Sequence, residues 1–111
     1  MKQFDIFSWQ PSGWPEPHPC VIVSHPDRAG RKTPVEVIMC SSKRATRKAE
    51  PDEIILDEAD GLDWKTMVRC DRIHLLPKER FDNQKGNVTD ERRHLIARKI
   101  IEVLRLPIHR K

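Results

Sequence analysis

The sequence has no long apolar run. Its longest unbroken ones are four residues, Cys20 to Val23 and Val37 to Cys40. A membrane-crossing helix needs about 20, so no membrane span is expected. Met1 to Gln10 carries Asp5 and lacks the apolar stretch of a signal peptide. No signal peptide is therefore expected, and the cytoplasm is the expected compartment. Paired Cys-x-x-Cys knuckles are missing too. Cys20, Cys40 and Cys70 are an odd number of widely spaced thiols inside apolar stretches, which reads as buried strand cysteines and not as a disulfide framework. Cys70 and His74, with Cys20 and His18, are the nearest approach to a zinc set and lack its spacing. Neither a metal nor a cofactor is expected. Net charge is only +4 with 34% charged residues, so a histone-like polycation is excluded while an anionic partner stays open.

What the chain does have is enough apolar matter for one core. Val, Ile, Leu and Phe make up 27 of 111 residues, which favours a folded globule over disorder. The length suits one domain, residues 1–111, without linker, repeat or low-complexity tract. Apolar and β-branched runs place strands over Phe4–Trp9, Cys20–Ser24, Val35–Cys40, Glu53–Leu56 and Thr66–Leu76, the last one bent where polar residues interrupt it. Proline and glycine place loops over Gln10–Pro19 and His25–Pro34, with turns at Asp60-Gly61 and Asp82–Gly86. From Asp90 to Leu106 apolar residues recur at 95, 96, 100, 103 and 104, a helical stripe with Thr89 as N-cap and Pro107 as stop. The expected fold is mostly β with a C-terminal helix, a small β-barrel with a helical lid.

Charge is segregated. Residues 1–49 hold eight cations and four anions, residues 50–63 seven anions and no cation, and residues 64–111 thirteen cations and six anions. The block Lys43-Arg44-Ala45-Thr46-Arg47-Lys48 reads either as a solvated loop or as a phosphate-contacting loop beside an acidic wall.

Several short motifs occur in a telling order. Asp5-Ile6-Phe7 opens the chain, Pro19 leads an apolar strand, a second apolar strand ends in Ser41-Ser42, and Val68-Arg69-Cys70-Asp71 precedes Leu75-Leu76-Pro77-Lys78. From about residue 4 to residue 106 this resembles the MazF/PemK family of toxin endoribonucleases of type II toxin–antitoxin pairs, the PemK (Kid) branch in particular. The Val-Arg-Cys-Asp tetrapeptide is the most specific piece. The resemblance implies a PemK-like β-barrel and an mRNA interferase that cuts single-stranded RNA at a short sequence. It implies Arg69 and Asp71 as the proton-transfer pair, with Ser41, Ser42 and Asp5 contacting RNA. It also implies a homodimer and a cognate antitoxin, whose tail should be acidic to compete for a cationic groove. The family usually carries Arg-Pro where this sequence has His18-Pro19.

The chemistry needs no metal. RNA brings its own nucleophile, the 2′-hydroxyl, whose attack leaves a 2′,3′-cyclic phosphate. A base, an acid and a cation at the phosphoryl group complete the site. Arg69 and Asp71 are two residues apart, so an ideal strand points both to one face. Arginine is a poor proton donor and suits charge stabilisation, while His18 is the better acid. Lys43, Arg44, Arg47 and Lys48 suit phosphate contacts. Trp9, Trp14 and Trp64 suit base stacking, core or interface, with interface favoured for Trp14. Two other readings stay open: a non-catalytic SH3-like barrel that binds nucleic acid or protein, and a gyrase-poisoning toxin of the same fold.

Overall fold

The apolar run before Ser41 forms the middle of an antiparallel sheet. The computed structural model describes residues 1–10 and 12–107, so Pro11 in the first loop lies outside the described residues. The strands are β1 (Asp5–Trp9), β2 (His18–Ile22), β3 (Val35–Arg44), β4 (Glu53–Leu56), β5 (Thr66–Leu76) and β6 (Phe81–Asn87). Helix α1 (Pro26–Arg31) lies between β2 and β3, and α2 (Asp90–Leu104) is the last element among the described residues. The sheet order is β4-β5-β3-β2-β1-β6. The expected class, mostly β with a C-terminal helix, is borne out. The sheet does not close into a barrel, because β4 and β6 are its two edges.

Strand β3 is apolar on both faces because both faces are covered. Ile38 and Cys40 join Ile6, Val21, Val68 and Cys70 in one buried cluster, which α2 closes with Ile96. Val35, Val37 and Met39 join Cys20 and Ile22 in a second cluster, which α1 closes with Ala29. Full burial of each such aliphatic side chain contributes about 1.5–3 kcal/mol. All three cysteines are buried and unpaired, and burial pushes Cys20 and Cys70 up to about 12. They are small core hydrophobes, as their surroundings in the sequence indicate.

Strand β5 has the expected limits and the expected bend. Its first half pairs β4 and the end of β3, with Val68 opposite both Ile54 and Cys40. Its second half pairs the start of β3, with Ile73 opposite Ile38. Between the two registers β3 advances two residues while β5 advances five, so residues 69–72 hold a bulge that turns the strand.

Four elements differ from the sequence expectation. Strand β2 begins at His18, so His18 and Pro19 belong to it and not to the first loop. Asp82–Gly86 lies inside strand β6, not in a turn. Its residues have low strand propensity, and pairing with β1 overrides that; a polar edge strand also resists unwanted pairing. His25–Pro34 contains α1, whose N-cap His25 accepts a hydrogen bond from the Asp27 backbone N–H. Strand β3 runs on to Arg44 and so takes in Ser41 and Ser42.

Helix α2 uses a narrower face than its apolar stripe suggests. Ile96 is fully buried and Ile100 packs beside it, yet Leu95 and Leu104 are 43% and 47% exposed. Polar contacts finish the docking. Arg92 donates to Asp57 at 2.6 and 3.0 Å and also to the fully buried Asp60 carboxylate. Asp60 in turn accepts from the Thr89 backbone N–H at 2.9 Å. Arg92 thereby holds the Asp57 carboxyl down to about 2, from an ordinary 3.8. Beside it the chain passes close to β6. A Cβ on Gly61, at φ +94°, would meet the Lys85 carbonyl at 2.6 Å, so only glycine fits there. No helix among the described residues is long and apolar enough to cross a membrane.

Replacing Arg92 with Ala would leave Asp60 buried without its cation. The expected loss is about 3 kcal/mol in urea unfolding at pH 7, as for other broken buried pairs. A loss below about 1 kcal/mol, the range of surface pairs, would show that the clasp does not hold the helix.

Candidate functional site

Alternation along the strands assigns side chains to the two faces. Cys20 and Met39 are paired residues in the α1-side cluster. His18, two residues before Cys20, and Ser41, two residues after Met39, therefore share that face. The His18 ring reaches β3, with Nδ1 3.0 Å from the Cys40 carbonyl. A carbonyl only accepts, so Nδ1 donates in this contact and Nε2 is left outside it. Trp14 packs edge-on to the His18 ring at 4.7 Å and to Trp9 at 6.5 Å. Trp14 is 44% exposed.

The same face continues on β5 and β4. Arg69 is paired with Glu53 across the two strands, and its Nε lies 3.5 Å from Glu53 Oε2. Glu53 is almost fully buried. Its carboxylate also takes Arg47 in a two-point grip at 2.6 and 2.8 Å and the Glu50 backbone N–H at 2.9 Å. The Arg47 hydrogen bonds, ahead of the field of Arg69, hold its carboxyl down to about 2, from an ordinary 4.5. A charge-assisted, two-point pair of this kind is directional as well as strong. It fastens the basic loop to β4 and sets the Arg69 guanidinium beside the bulge.

The opposite face of the same sheet end carries a groove of about 610 Å³. Ser42, Arg44 and Thr66 line it from the strands, Glu16 and Pro17 from the first loop, and Trp64 from the segment before β5. The Arg44 guanidinium lies 5.9 Å from the Trp64 ring centre, and Ser42 Oγ donates to Glu16 at 3.0 Å. Neighbouring serines thus serve opposite faces.

The residues singled out from the sequence divide into four groups. His18, Ser41 and Arg69 share a face, and Asp71 follows Arg69 in the exposed part of the bulge. Among the described residues the ion-pair partner of Arg69 is Glu53, and no ion pair joins Arg69 to Asp71. The bulge breaks the strict alternation on which their facing was argued. Lys43 and Arg44 belong to β3 and the groove, not to a loop. Arg47 is committed to Glu53, while Lys48 stays exposed beside it. Asp5 is not brought to this surface: it is buried at the far end of β1 and accepts the Lys2 backbone N–H at 2.7 Å. Sequence reading missed Glu53, and it named Trp64 only as one of three tryptophans that could stack on bases. Glu53 did leave a signal, a lone acid opening the apolar strand Glu53-Ile54-Ile55-Leu56.

Known proteins with this fold are readily found. A family model described as PemK-like, MazF-like toxin of type II toxin–antitoxin system matches residues 2–104. Among solved structures, an endoribonuclease in complex with its cognate antitoxin from a mycobacterial species superposes with a TM-score of 0.82 at 21% identity. The match covers 98% of this chain and 99% of that one. The Mycobacterium tuberculosis toxin MazF-mt6 superposes at 0.78 and 20% identity, over 94% and 99% of the two chains. No curated protein sequence matches the chain. The fold is therefore shared with chains only about one-fifth identical in sequence.

The Glu53 carboxylate has a pH signature. Its pKa is lowered by folding, so its stabilising contribution is complete above about pH 4.5 and is lost as pH falls towards 2. Glu53→Gln should lower the melting temperature at pH 7, and the difference from wild type should shrink between pH 4.5 and the acid limit. A difference constant across that window would mean that Glu53 is not ionised against Arg47.

Proposed function

Since the chain belongs to the family of PemK-like, MazF-like toxins of type II toxin–antitoxin systems, we propose that it is an endoribonuclease that cuts single-stranded RNA at a short sequence. Residues 1–111 act in this reading as one PemK/MazF-like domain. The observation that carries the proposal is the shared face of His18, Ser41 and Arg69, braced from behind by Glu53. A solved structure of the same fold is described as an endoribonuclease with its cognate antitoxin, which supports the same reading.

Each residue has a role that its surroundings suit. Asp71 is exposed and takes the proton of the 2′-hydroxyl as that oxygen attacks phosphorus. The P–O bond to the 5′-oxygen breaks as the new P–O bond forms, leaving a 2′,3′-cyclic phosphate. Protonated Nε2 of His18 gives its proton to the departing 5′-oxygen, and the Cys40 carbonyl holds the ring in the tautomer this requires. Arg69 meets the charge that gathers on the phosphoryl oxygens. Its Nε is engaged by Glu53, which leaves the terminal nitrogens for phosphate. Ser41 donates to the same group. Base, acid and cation all come from side chains, so the reaction needs no metal.

The strand is held by phosphate contacts from Lys43, Arg44 and Lys48, which position without reading sequence. An antitoxin with an acidic tail competes for this surface, and two copies of the chain face each other to form one groove. The exposed apolar side chains Ile73 and Leu75 on β5 suit such a contact. One observation favours non-catalytic binding instead: Arg69 pairs with Glu53 and not with Asp71.

Cleavage of a mixed-sequence RNA by single variants separates these readings. Asp71→Asn, Arg69→Ala and His18→Ala should each reduce the rate about 100-fold or more. All three should keep the far-UV spectrum of the wild type, since none lies in the buried clusters. Wild-type rates in all three would remove the catalytic assignment. Binding without any cleavage by the wild type would favour the non-catalytic module.

A further inference from the structure

We propose that the groove on the α2 side of the sheet is a base-reading subsite, in which a nucleobase carrying an exocyclic amino group stacks on Trp64. The proposal rests on the RNA-cleavage reading and adds a specificity determinant to it. Trp64 and the groove lie on the sheet face opposite His18 and Arg69, so they are not part of the reacting centre.

Three observations carry it. First, Trp64 is 37% exposed and already has a guanidinium, Arg44, 5.9 Å from its ring centre. An indole with an arginine beside it is a stacking platform for a base with a cation ready for its phosphate. Lys43 and Lys85 line the same groove, so negative charge along a nucleotide strand is met on more than one side. Second, the platform is fixed. The Trp64 carbonyl accepts from Thr66 Oγ1 at 3.0 Å, and the next residue, Lys65, accepts the Ala45 backbone N–H at 2.7 Å. A base arriving there loses little to ordering the protein. Third, consecutive residues of β3 serve the groove and the reacting face. Ser41 lies on the His18 side and Ser42 lines the groove. A strand with one phosphate at Ser41 and Arg69 passes this sheet end, and a flanking nucleotide there can turn its base into the groove.

The wall of the groove suggests which bases fit. Glu16 and Asp63 line it, and ionised carboxylates only accept hydrogen bonds. Ser42 engages one Glu16 oxygen at 3.0 Å, leaving the other for a ligand. An exocyclic amino group on adenine, cytosine or guanine satisfies such an acceptor. Uracil has no amino group, and its ring N–H is flanked by carbonyl oxygens that a carboxylate repels. The groove should therefore discriminate against uracil.

The test uses the full chain. A randomised single-stranded RNA is cut by wild type, Trp64→Ala, Trp64→Phe and Glu16→Gln, and the cut ends are sequenced. Affinity for a labelled oligonucleotide bearing the wild-type preferred sequence is measured in an Asp71→Asn background, where the ligand survives. Wild type should exclude uracil at one fixed position beside the cut. Trp64→Ala should lose that exclusion and bind about 5- to 150-fold more weakly, the range of one lost stack. Trp64→Phe should keep most of both. Glu16→Gln should admit uracil, because an amide both donates and accepts. If Trp64→Ala does not fold, Glu16→Gln, in an exposed loop, decides alone. Unchanged affinity and unchanged base preference in folded variants would overturn the proposal while leaving the cleavage reading intact. Loss of binding to an acidic antitoxin-tail peptide, with RNA unaffected, would assign the groove to a protein partner and overturn it as well. A wild type that neither binds nor cuts RNA would overturn the cleavage reading itself, and the subsite with it.

Discussion

A carboxylate buried among arginines organises the working end of this sheet. Glu53 sits at the start of β4 with almost no solvent contact, and burying its charge alone would be prohibitive. Arg47 and Arg69 make it tolerable, one from the basic loop and one from β5. The same carboxylate accepts the Glu50 backbone N–H and so also fixes the turn before β4. Three pieces of chain that are remote in sequence are thus referred to one charge. An arginine held this way gives up some freedom before any ligand arrives, which lowers the entropic cost of using its remaining nitrogens.

The bend in β5 brings that local interaction to an exposed stretch of strand. A strand of eleven residues that stayed flat would run past the end of β3. The bulge over 69–72 lets one strand serve two registers, against β4 on one side of the bend and against the start of β3 on the other. Arg69 and Asp71 sit where the ladder is interrupted, so their backbone is positioned by neighbours on both sides while their side chains are spared from the core. The clasp of Arg92 on Asp57 and Asp60 supports the other side of the same sheet, pinning α2 over β4 and β5. Structure that faces inward is apolar and closed, and structure at the sheet end is charged and open.

Much of this was legible in the sequence. β4, β5 and α2 follow directly from β-branched runs and a helical stripe, and the cysteines from their apolar neighbours. The motif Val68-Arg69-Cys70-Asp71 lies in the strand expected for it, β5. What could not be read were properties that arise only between distant segments. β6 is a strand because β1 offers it an edge, not because Phe81-Asp82-Asn83-Gln84 favours one. Asp5 is buried by its turn with Lys2 and so leaves the surface. Arg47 reads as a free cation until its partner is known, and that partner follows an intervening proline and two acids in the chain. The facing of Arg69 and Asp71 was inferred from an ideal strand, and the bulge removes the ideal. Trp64 gained its meaning only when β3 proved long enough to bring Arg44 beside it.

The central claim is that side chains alone carry out transesterification on RNA, and the chemistry of the product ends tests it most directly. Purified protein is incubated with a defined single-stranded RNA in excess EDTA, and the fragments are weighed by mass spectrometry. Cleavage is expected under these conditions, with a 2′,3′-cyclic phosphate on one fragment and a 5′-hydroxyl on the other. Cleavage that stops in EDTA and returns with magnesium, leaving a 5′-phosphate, would contradict it, because water would then be the nucleophile and a metal its activator.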